Sequence, residues 1–287
     1  MRDSFVSQKK KGFNSMLYTV ITVCRNVRDD LIKTAESVLA QTSSDFEYVI
    51  IDGASTDGTA EKAFEYKKLF SERGIPCTVI SEKDTGIYNA MNKGIDNSTG
   101  DWLIFMNAGD IFYGSDVLEK VSPYCTDDCD VVYGNTVATE LGMYKVYNAS
   151  PDISLLRDHW CMGHQSTFTS SRLMKEYHYD EGFKICADYD FYLKALDNGA
   201  RFKYADLFIG EINLMGVSIA NYSASTKENF RVLLSHGCIT EEDCDLRFKE
   251  IDAEAESRKK KAPMKKLLPR FILKLKRQRD GWVTKRP

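Results

Sequence analysis

The chain lacks the short motifs that most often assign a nucleotide-binding or metal-binding fold. No Gly-x-Gly-x-x-Gly sequence and no Walker A loop occur among its 287 residues, which argues against a dinucleotide-binding fold. Its eight cysteines form no Cys-x-x-Cys pair, and no histidine follows the closest two, Cys125 and Cys129, at zinc-finger spacing. We therefore expect buried or free thiols in a reducing cytosol, and neither a disulfide framework nor a zinc site.

Long hydrophobic runs are also missing. No window approaches the roughly 18 consecutive apolar residues of a transmembrane helix, and residues 1–15 lack the apolar segment of a secretory signal. Hydrophobic residues at 43% and charged residues at 28% are typical of soluble globular proteins. A chain of 287 residues can bury the core of one large α/β domain or of two smaller ones.

The net charge of −3 hides an acidic body and a basic end. Residues 258–287, which we call the basic tail, carry 13 Lys or Arg and one acid. Residues 1–257 carry 26 bases and 41 acids, a formal charge of −15. Residues 263–279 interleave apolar and basic side chains, which favours binding to an anionic membrane surface. Docking on the acidic body and binding to nucleic acid are alternatives for the same pattern.

The most informative stretch is residues 101–110. An unbroken apolar run at 102–106 gives way to Asn107, Gly109 and Asp110, which is typical of a strand buried on both faces and closed by a turn. In open α/β sheets, ligands bind beyond the carboxyl ends of such strands. An acid there can hold a metal ion and a glycine lets a ligand approach the backbone, although these residues also form ordinary turns.

The residues before this stretch alternate between strand and helix patterns. Runs rich in β-branched residues predict strands at 17–23, 46–51 and 77–81, and apolar stripes predict helices at 30–41, 59–73 and 87–95. The alternation predicts a mostly parallel sheet with helices on both faces. A polar cluster follows each strand, which favours a nucleotide-sized cleft over four unrelated turns; the clusters are Arg25/Asn26, Asp52, Asp84 and Asn107/Asp110.

This alternating region contains three motifs that resemble those of one enzyme family. They are Thr-Val-Ile-Thr-Val-x-Arg-Asn, Val-Ile-Ile-Asp-Gly-Ala-Ser-Thr-Asp-Gly-Thr and Ser-Glu-Lys-Asp-Thr-Gly-Ile-Tyr-Asn-Ala-Met-Asn-Lys-Gly. With residues 101–110 they resemble the family 2 glycosyltransferases over about residues 17–215. The resemblance implies the GT-A fold, a Rossmann-like α/β fold with a mixed, mostly parallel sheet. It also implies transfer of a sugar, with inversion, from a nucleotide donor that is usually UDP-linked, in bacterial surface polysaccharide synthesis.

The resemblance also assigns the donor-binding residues by position. Thr22, Arg25 and Asn26 would lie near the base of the nucleotide. Asp52 would accept a hydrogen bond from the uracil ring or the ribose, and Asp84 would line the same pocket.

The metal motif of the family is incomplete in this chain. Asp110 matches the last acid of the family's Asp-x-Asp-Asp motif, but Asn107 and Gly109 replace its first two acids. Glycine cannot bind a metal through a side chain, so one expected ligand is missing. We still expect a divalent metal, Mg²⁺ or Mn²⁺, held by Asp110 and the phosphates of the donor, with binding either retained or weakened.

The second half of the chain supplies the remaining candidates. Residues 130–136 predict a further strand, and His164 and Gln165 fall where the family's acceptor half begins. His164 would contact the donor phosphates, the acceptor or the metal, although a lone histidine is more often structural. Residues 187–198 predict a helix, and Asp188 matches the second acid of the family's Glu-Asp motif. We assign to Asp188 the base that inverting transfer needs, with a helix N-cap as the alternative role.

These assignments imply an organisation in three parts. We expect a disordered lead-in at 1–15, a catalytic domain at 16–220 and a helical C-terminal extension at 221–287. The catalytic domain divides into a nucleotide-binding half, 16–110, and an acceptor half, 111–220, with a glycine-rich loop over the acceptor at 215–218. We expect a cytoplasmic enzyme held peripherally at the inner face of the membrane, with a glycan or lipid-linked acceptor and no nucleic-acid partner.

Two other functions share some of these features. A nucleotidyltransferase would use a similar α/β half, but it normally opens with a Gly-rich loop after the first strand, which is absent here. A non-catalytic subunit that binds sugar nucleotides is favoured only by the replaced acids at Asn107, Gly109 and Ala187. Turnover of nucleotide sugars separates the three functions.

Overall fold

One sheet runs through the molecule and carries the strand ends at which the sequence predicts the site. The computed structural model describes residues 18–213, 221–265, 277–278 and 280–287. The strands within these ranges are β1 (Tyr18–Cys24), β2 (Phe46–Asp52), β3 (Cys77–Ser81), β4 (Trp102–Phe105), β5 (Ile111–Phe112), β6 (Val131–Glu140), β7 (Met143–Tyr147), β8 (Thr167–Ser170) and β9 (Phe202–Asn213).

Helices cover both faces of this sheet. In chain order they are α1 (Arg28–Leu39), α2 (Thr59–Glu72), α3 (Ile87–Asp96), α4 (Val117–Val121), α5 (Ser171–Tyr177), α6 (Ala187–Asp197), α7 (Tyr222–Ser235) and α8 (Glu241–Lys265). Short 3₁₀ turns occur at Ile153–Arg157 and His164–Ser166.

The strand order is β3-β2-β1-β4-β8-β6-β9-β5, with β7 paired to the outer part of β6. β1 pairs in parallel with both β2 and β4, and β2 pairs in parallel with β3. Beyond β4 the directions are mixed, because β8 is antiparallel to β4 and β6 whereas β6 and β9 run parallel. The carboxyl ends of the four parallel strands therefore lie along a single edge of the sheet.

Alternation of side chains along the central strands explains why both faces are covered. Ile21 and Val49 face a core with α3, α5 and α6, whereas Val20 and Ile50 face a second core with α1, α2 and α4. Every residue of β1 and β2 is buried, as expected for parallel strands between two helical layers. The mixed, mostly parallel α/β architecture predicted from the sequence is thus confirmed.

The predicted element boundaries agree with the structure to within a few residues. The strand predicted at 77–81 is β3, and that predicted at 17–23 is shifted by one residue to Tyr18–Cys24. The helix predicted at 30–41 begins and ends two residues earlier, at Arg28–Leu39. β8, β6 and β9 extend the sheet of the first half, so the two halves predicted at 16–110 and 111–220 share one sheet.

The C-terminal extension contains α7, α8 and a terminal segment that returns to the sheet. Trp282 is buried against Ala138 and Met143, and the backbones of Val283 and Tyr144 exchange two hydrogen bonds of 2.8 Å. The lead-in predicted at 1–15, the loop at 215–218 and residues 266–276 of the basic tail lie outside the described residues. Among the helices that the structure describes, none is long and apolar enough to cross a membrane.

Candidate active site

The tips of β1, β2 and β3 form the first part of the site, which we call the donor rim and define as Arg25, Asn26, Asp52, Gly53 and Asp84. The carboxylate of Asp84 lies directly over Gly53, where a Cβ atom would overlap it and would approach Arg25 Cδ to 3.2 Å. The Gly53 N–H donates to the carbonyl of Cys24 at 2.9 Å, which ties the tip of β2 to that of β1. Glycine at this position therefore lets the Arg25 and Asp84 side chains meet at the sheet edge.

Asp52 occupies the centre of the donor rim but faces inward. Its residue is fully buried, and its carboxylate accepts hydrogen bonds from the hydroxyls of Ser81 at 2.6 Å and of Ser55. The Ser55 N–H donates to the same carboxylate at 3.1 Å. Asp52 therefore fixes the turn after β2, and any contact with a ligand has to compete with these bonds.

Thr22, also predicted near the base, does not reach the donor rim. It is fully buried, and its hydroxyl donates to the carbonyl of Met106 at 2.6 Å and accepts from Tyr48 at 2.8 Å. Asn26, just beyond β1, is exposed and adopts φ = 52°, and its side-chain oxygen accepts a hydrogen bond from Thr56 N at 2.9 Å. The structure thus brings Arg25, Asn26 and Asp84 to the surface at the carboxyl edge of the sheet and leaves Thr22 in the core.

The turn after β4 forms the second part of the site. The Thr34 hydroxyl donates to the carbonyl of Asp110 at 2.7 Å and accepts from the N–H of Gly109 at 2.9 Å. Gly109 has φ = +104°, a conformation that other residues rarely adopt. One buried threonine on α1 therefore holds the loop that presents Asn107 and Asp110.

Asp110 contacts the second half of the chain through the turn at His164–Ser166. Gln165 Nε2 donates to Asp110 Oδ2 at 3.2 Å. Burial raises the pKa of Asp110 to about 6, although the charge of His164 and the bond from Gln165 act in the opposite direction. A bound cation would offset this burial, since an opposite charge favours the ionised carboxylate.

His164 and Asp188 form a close pair. His164 Nδ1 lies 2.9 Å from Asp188 Oδ2, and the two side chains are 19% and 14% exposed. Burial lowers the pKa of His164, but the bond and charge of Asp188, together with the charge of Asp110, outweigh it, so the pKa is raised overall. The opposite ring atom, Nε2, lies 3.4 Å from the side-chain amide nitrogen of Asn107.

The helix that carries Asp188 begins one residue before it. α6 starts at Ala187 with Cys186 as its N-cap, and Asp188 lies in the first turn. The alternative role of Asp188 as a helix N-cap is therefore wrong. Its other oxygen, Oδ1, accepts from Tyr189 N at 3.0 Å and lies 3.2 Å from the hydroxyl of Tyr88.

We call Asn107, Asp110, His164, Gln165 and Asp188 the catalytic corner. Its members come from the β4 turn, a 3₁₀ turn and α6, and each contacts another member. The sequence identified all five positions but not Tyr88, whose hydroxyl touches Asp188. Tyr88 lies in the Gly-Ile-Tyr-Asn-Ala part of the third motif, which implied the family but gave no role to this tyrosine.

Comparisons with known proteins identify the family of this chain. The chain matches the model of glycosyl transferase family 2 over residues 19–188. A PGL/p-HBAD biosynthesis glycosyltransferase of Mycobacterium bovis is 30% identical over 204 residues, which cover 70% of this chain and 78% of the relative.

Solved structures share the fold at low sequence identity. S. aureus TarS 1-349 in complex with UDP-GlcNAc has a TM-score of 0.60 at 16% identity, covering 82% of this chain and 71% of that chain. A mannosyltransferase from Pyrobaculum calidifontis in complex with GDP-Man and Mn²⁺ has a TM-score of 0.57 at 16% identity, covering 78% of this chain and 64% of that chain. These structures share the GT-A fold.

The family model covers more than half of the chain, and the matched region ends at Asp188, a residue of the catalytic corner. This chain therefore belongs to glycosyl transferase family 2, and it is a glycosyltransferase.

Proposed function

We propose that this enzyme transfers a sugar, with inversion, from a UDP-linked donor to a glycan or lipid-linked acceptor in cell-envelope polysaccharide synthesis. The pairing of Asp188 with His164, beside Asp110 at the carboxyl edge of the sheet, is the observation that carries the proposal. The UDP-GlcNAc complex of a structural neighbour supports a UDP donor, and the Mycobacterium bovis relative, a PGL/p-HBAD biosynthesis glycosyltransferase, supports a biosynthetic role.

Asp188 acts as the general base in this proposal. A carboxylate can accept about four hydrogen bonds; Asp188 receives bonds from His164 and Tyr189, with Tyr88 within reach, so one position is left for an acceptor hydroxyl. The hydroxyl proton passes to Asp188 as the oxygen attacks the anomeric carbon. The new C–O bond forms opposite the leaving diphosphate, which departs with the bonding electron pair.

His164 stabilises the charge that grows on this leaving group. Because the carboxylates of Asp188 and Asp110 raise the pKa of His164, the ring stays protonated at a higher pH than an ordinary histidine. Its Nε2 lies 3.4 Å from the Asn107 amide nitrogen; in the protonated ring both atoms are donors and make no bond to each other, so the Nε2–H is left for the diphosphate, which we place at the β4 turn. A fixed positive group at that position stabilises the transition state more than the ground state.

A divalent cation, Mg²⁺ or Mn²⁺, would neutralise the donor diphosphate when bound. The residues fit such an ion, since Asn107 Oδ1 is buried and has no hydrogen-bond partner among the described residues, and Asp110 offers a carboxylate. Oxygen ligands of this type are those that Mg²⁺ and Mn²⁺ prefer. The described part of the chain contains no group of three acids, histidines or cysteines that could hold a metal, so donor phosphates have to complete the coordination.

The donor rim binds the nucleoside in this proposal. Arg25 and Asn26 are exposed at the tip of β1, and the half-buried Asp84 lies beside them over Gly53. Asp52 holds the turn between them and contacts the uridine only if a bond to Ser55 or Ser81 opens. We therefore assign direct contacts to Arg25, Asn26 and Asp84, and leave Thr22 out of the donor site.

Donor and stereochemistry can be tested together. We expect UDP-sugars, with Mg²⁺ or Mn²⁺, to raise the melting temperature and to be turned over, while GDP- and dTDP-sugars do neither. NMR of the product should show the anomeric configuration inverted relative to the donor. Turnover of GDP- or dTDP-sugars alone would contradict the UDP assignment, and retained configuration would contradict the role of Asp188.

We also propose that the basic tail binds an anionic membrane surface on which the acceptor is presented. The terminal segment itself docks on the body, because Arg277 pairs with Glu140 and Arg286 with Glu211, so the lipid-binding charges would be those between residues 258 and 276. K260Q/K261Q should weaken flotation with vesicles that contain phosphatidylglycerol, and K67Q/K68Q, which removes two exposed lysines from α2, should not. Equal flotation of both variants would remove the membrane proposal.

A further inference from the structure

A buried glutamate of the C-terminal extension contacts the segment that leads into α6. Glu228 lies on α7 and is 8% exposed. Its Oε1 accepts from Lys184 N at 2.9 Å, and its Oε2 accepts from Ile185 N at 2.5 Å and from Cys186 N at 2.8 Å. Three consecutive backbone amides thus donate to one carboxylate that lies more than 40 residues further along the chain.

These amides need an acceptor from elsewhere in the molecule. The N–H groups at the start of a helix have no partner within the helix and are usually capped by a side chain. The N-cap of α6, Cys186, makes no side-chain capping bond. Lys184 and Ile185 precede α6 and Cys186 is its N-cap, so no helix bond reaches these three amides, and Glu228 supplies their acceptor from α7.

The capped segment leads directly to the proposed base. Asp188 follows Cys186 by two residues in the first turn of α6. The carbonyl of Ile185 accepts a hydrogen bond from the hydroxyl of Tyr88, which also lies 3.2 Å from Asp188 Oδ1. Glu228 therefore fixes both the backbone that carries Asp188 and the carbonyl that orients its Tyr88 neighbour.

A second contact joins the C-cap residue of α7, His236, to the first turn and to the last residue of α6. His236 lies 3.0 Å from Asp190 Oδ1 and 2.7 Å from Asp197 Oδ2. It touches neither Asp188 nor the residues that Glu228 caps. The helix pair thus offers one contact that reaches the base and one that does not.

We propose that Glu228 is a positioning residue for Asp188, and that the C-terminal extension is through it a part of the catalytic apparatus. The inference rests on the proposed role of Asp188 in sugar transfer. It concerns the geometry of the base and not the binding of the donor, because Glu228 contacts no residue of the donor rim in the described structure.

The variant E228Q tests this role. Glutamine keeps one acceptor oxygen but turns an N–H₂ group toward amides that also donate, so the segment has to shift. A displacement of about 1 Å at a catalytic group can lower kcat by about 100-fold. We expect a loss of this size with the KM for the UDP-sugar changed less than twofold. H236N, which loosens the same helices elsewhere, and E242Q, which makes the same change at an exposed position of α8, should keep kcat within about threefold.

Three results would overturn the proposal. One is a wild-type kcat in E228Q, and the second is an equal loss in H236N, which would show that general loosening of the helices is responsible. Hydrogen exchange provides the third, because it does not depend on turnover. The amides of residues 184–186 should exchange faster in E228Q than in wild type, whereas unchanged protection would show that Glu228 does not hold them. If wild type turned over no nucleotide sugar, the proposed function would fail while the exchange result still decided what Glu228 holds.

Discussion

The donor rim and the catalytic corner are built in different ways. In the donor rim, the bonds join neighbouring strand tips and the turns beside them, as between Asp52 and Ser55 or Asn26 and Thr56. In the catalytic corner, the bonds between side chains join distant segments, as between Asp110 and Gln165 or His164 and Asp188. The rim thus forms with the parallel part of the sheet, whereas the corner exists only once the second half has folded onto it.

This difference predicts how the two regions respond to substitution. Asp52, at the centre of the donor rim, is satisfied by protein partners, so removing its carboxylate should cost folding stability. Among the described residues, two groups of the catalytic corner keep an unused acceptor position, namely the carboxylate of Asp188 and Asn107 Oδ1. Removing one of these should cost turnover more than stability.

The largest effect is expected for D188N in the catalytic corner. An amide cannot accept the hydroxyl proton, and general-base catalysis contributes about 10²- to 10⁴-fold to a rate. We expect a loss of this size in kcat, with the affinity for the UDP-sugar and the melting temperature close to wild type. D245N, an exposed position on α8, is the matched control. Near-normal transfer by D188N would show that another group is the base.

D110N should separate stability from function within the catalytic corner. The pKa of Asp110 is raised to about 6 from a usual value of 3.8, so the folded chain holds this proton more tightly than the unfolded chain. Ionisation of Asp110 therefore destabilises the fold as the pH rises through about 6, by an amount of about 3 kcal/mol at neutral pH. In metal-free buffer D110N should be more stable than wild type at pH 8, and the difference should vanish toward pH 4.

Urea unfolding of both proteins between pH 4 and pH 8 measures this difference in stability. The transfer rate of both proteins, measured as a function of Mn²⁺ concentration, shows how much metal-dependent activity the substitution removes. We expect D110N to lose most of its response to metal. A stability difference that does not vary with pH would contradict the pKa assignment. D245N again supplies the control for loss of a carboxylate at an exposed site.

In the donor rim, substitution should lower stability more than turnover, and D52N tests this. Asn offers one acceptor oxygen where Asp52 uses two, so the fully buried side chain at this position loses a hydrogen bond to Ser55 or Ser81. An unsatisfied buried group costs about 1–3 kcal/mol. We expect the free energy of unfolding to fall by this amount, and kcat at saturating donor to change little. A normal stability combined with a large loss of kcat would place Asp52 in the chemistry and not in the scaffold.

The donor rim could be predicted from the sequence pattern more fully than the catalytic corner, for a physical reason. The donor rim could be predicted because each strand of the parallel block ends in its own polar cluster, and parallel strands bring those ends together. Asp110 followed from the strand end at 107–110 as well as from the family resemblance, whereas His164 and Asp188 came from the resemblance alone, since no periodicity relates that turn to a helix at 187. Contacts such as Glu228 with Cys186 depend on the packing of α7 against α6, and a lone acid in a polar helix gives no signal of it.

Thr22 shows the limit of assignment by position alone. Its place in the first motif implied a contact with the base, but side chains on a strand alternate between faces, and Thr22 points into the core beside Tyr48. The next residues, Arg25 and Asn26, lie beyond β1 and escape this constraint. Motif position thus pointed to the carboxyl edge of the sheet, whereas the strand register decides which side chains reach the surface there.

The smallest effect is expected for R286A. This variant tests whether the C-terminal residues contribute to the donor rim or to the catalytic corner. Arg286 pairs with Glu211 at 2.7 Å, and Glu211 is the register partner of Ile111, the residue after Asp110. The pair lies close to the catalytic corner along the sheet, yet the Arg286 side chain is 44% exposed. Exposed ion pairs contribute at most about 1 kcal/mol. We therefore expect a loss of stability below this value and a kcat within about twofold of wild type; a loss of kcat without a loss of stability would mean that the chain terminus, like Glu228, positions a catalytic group.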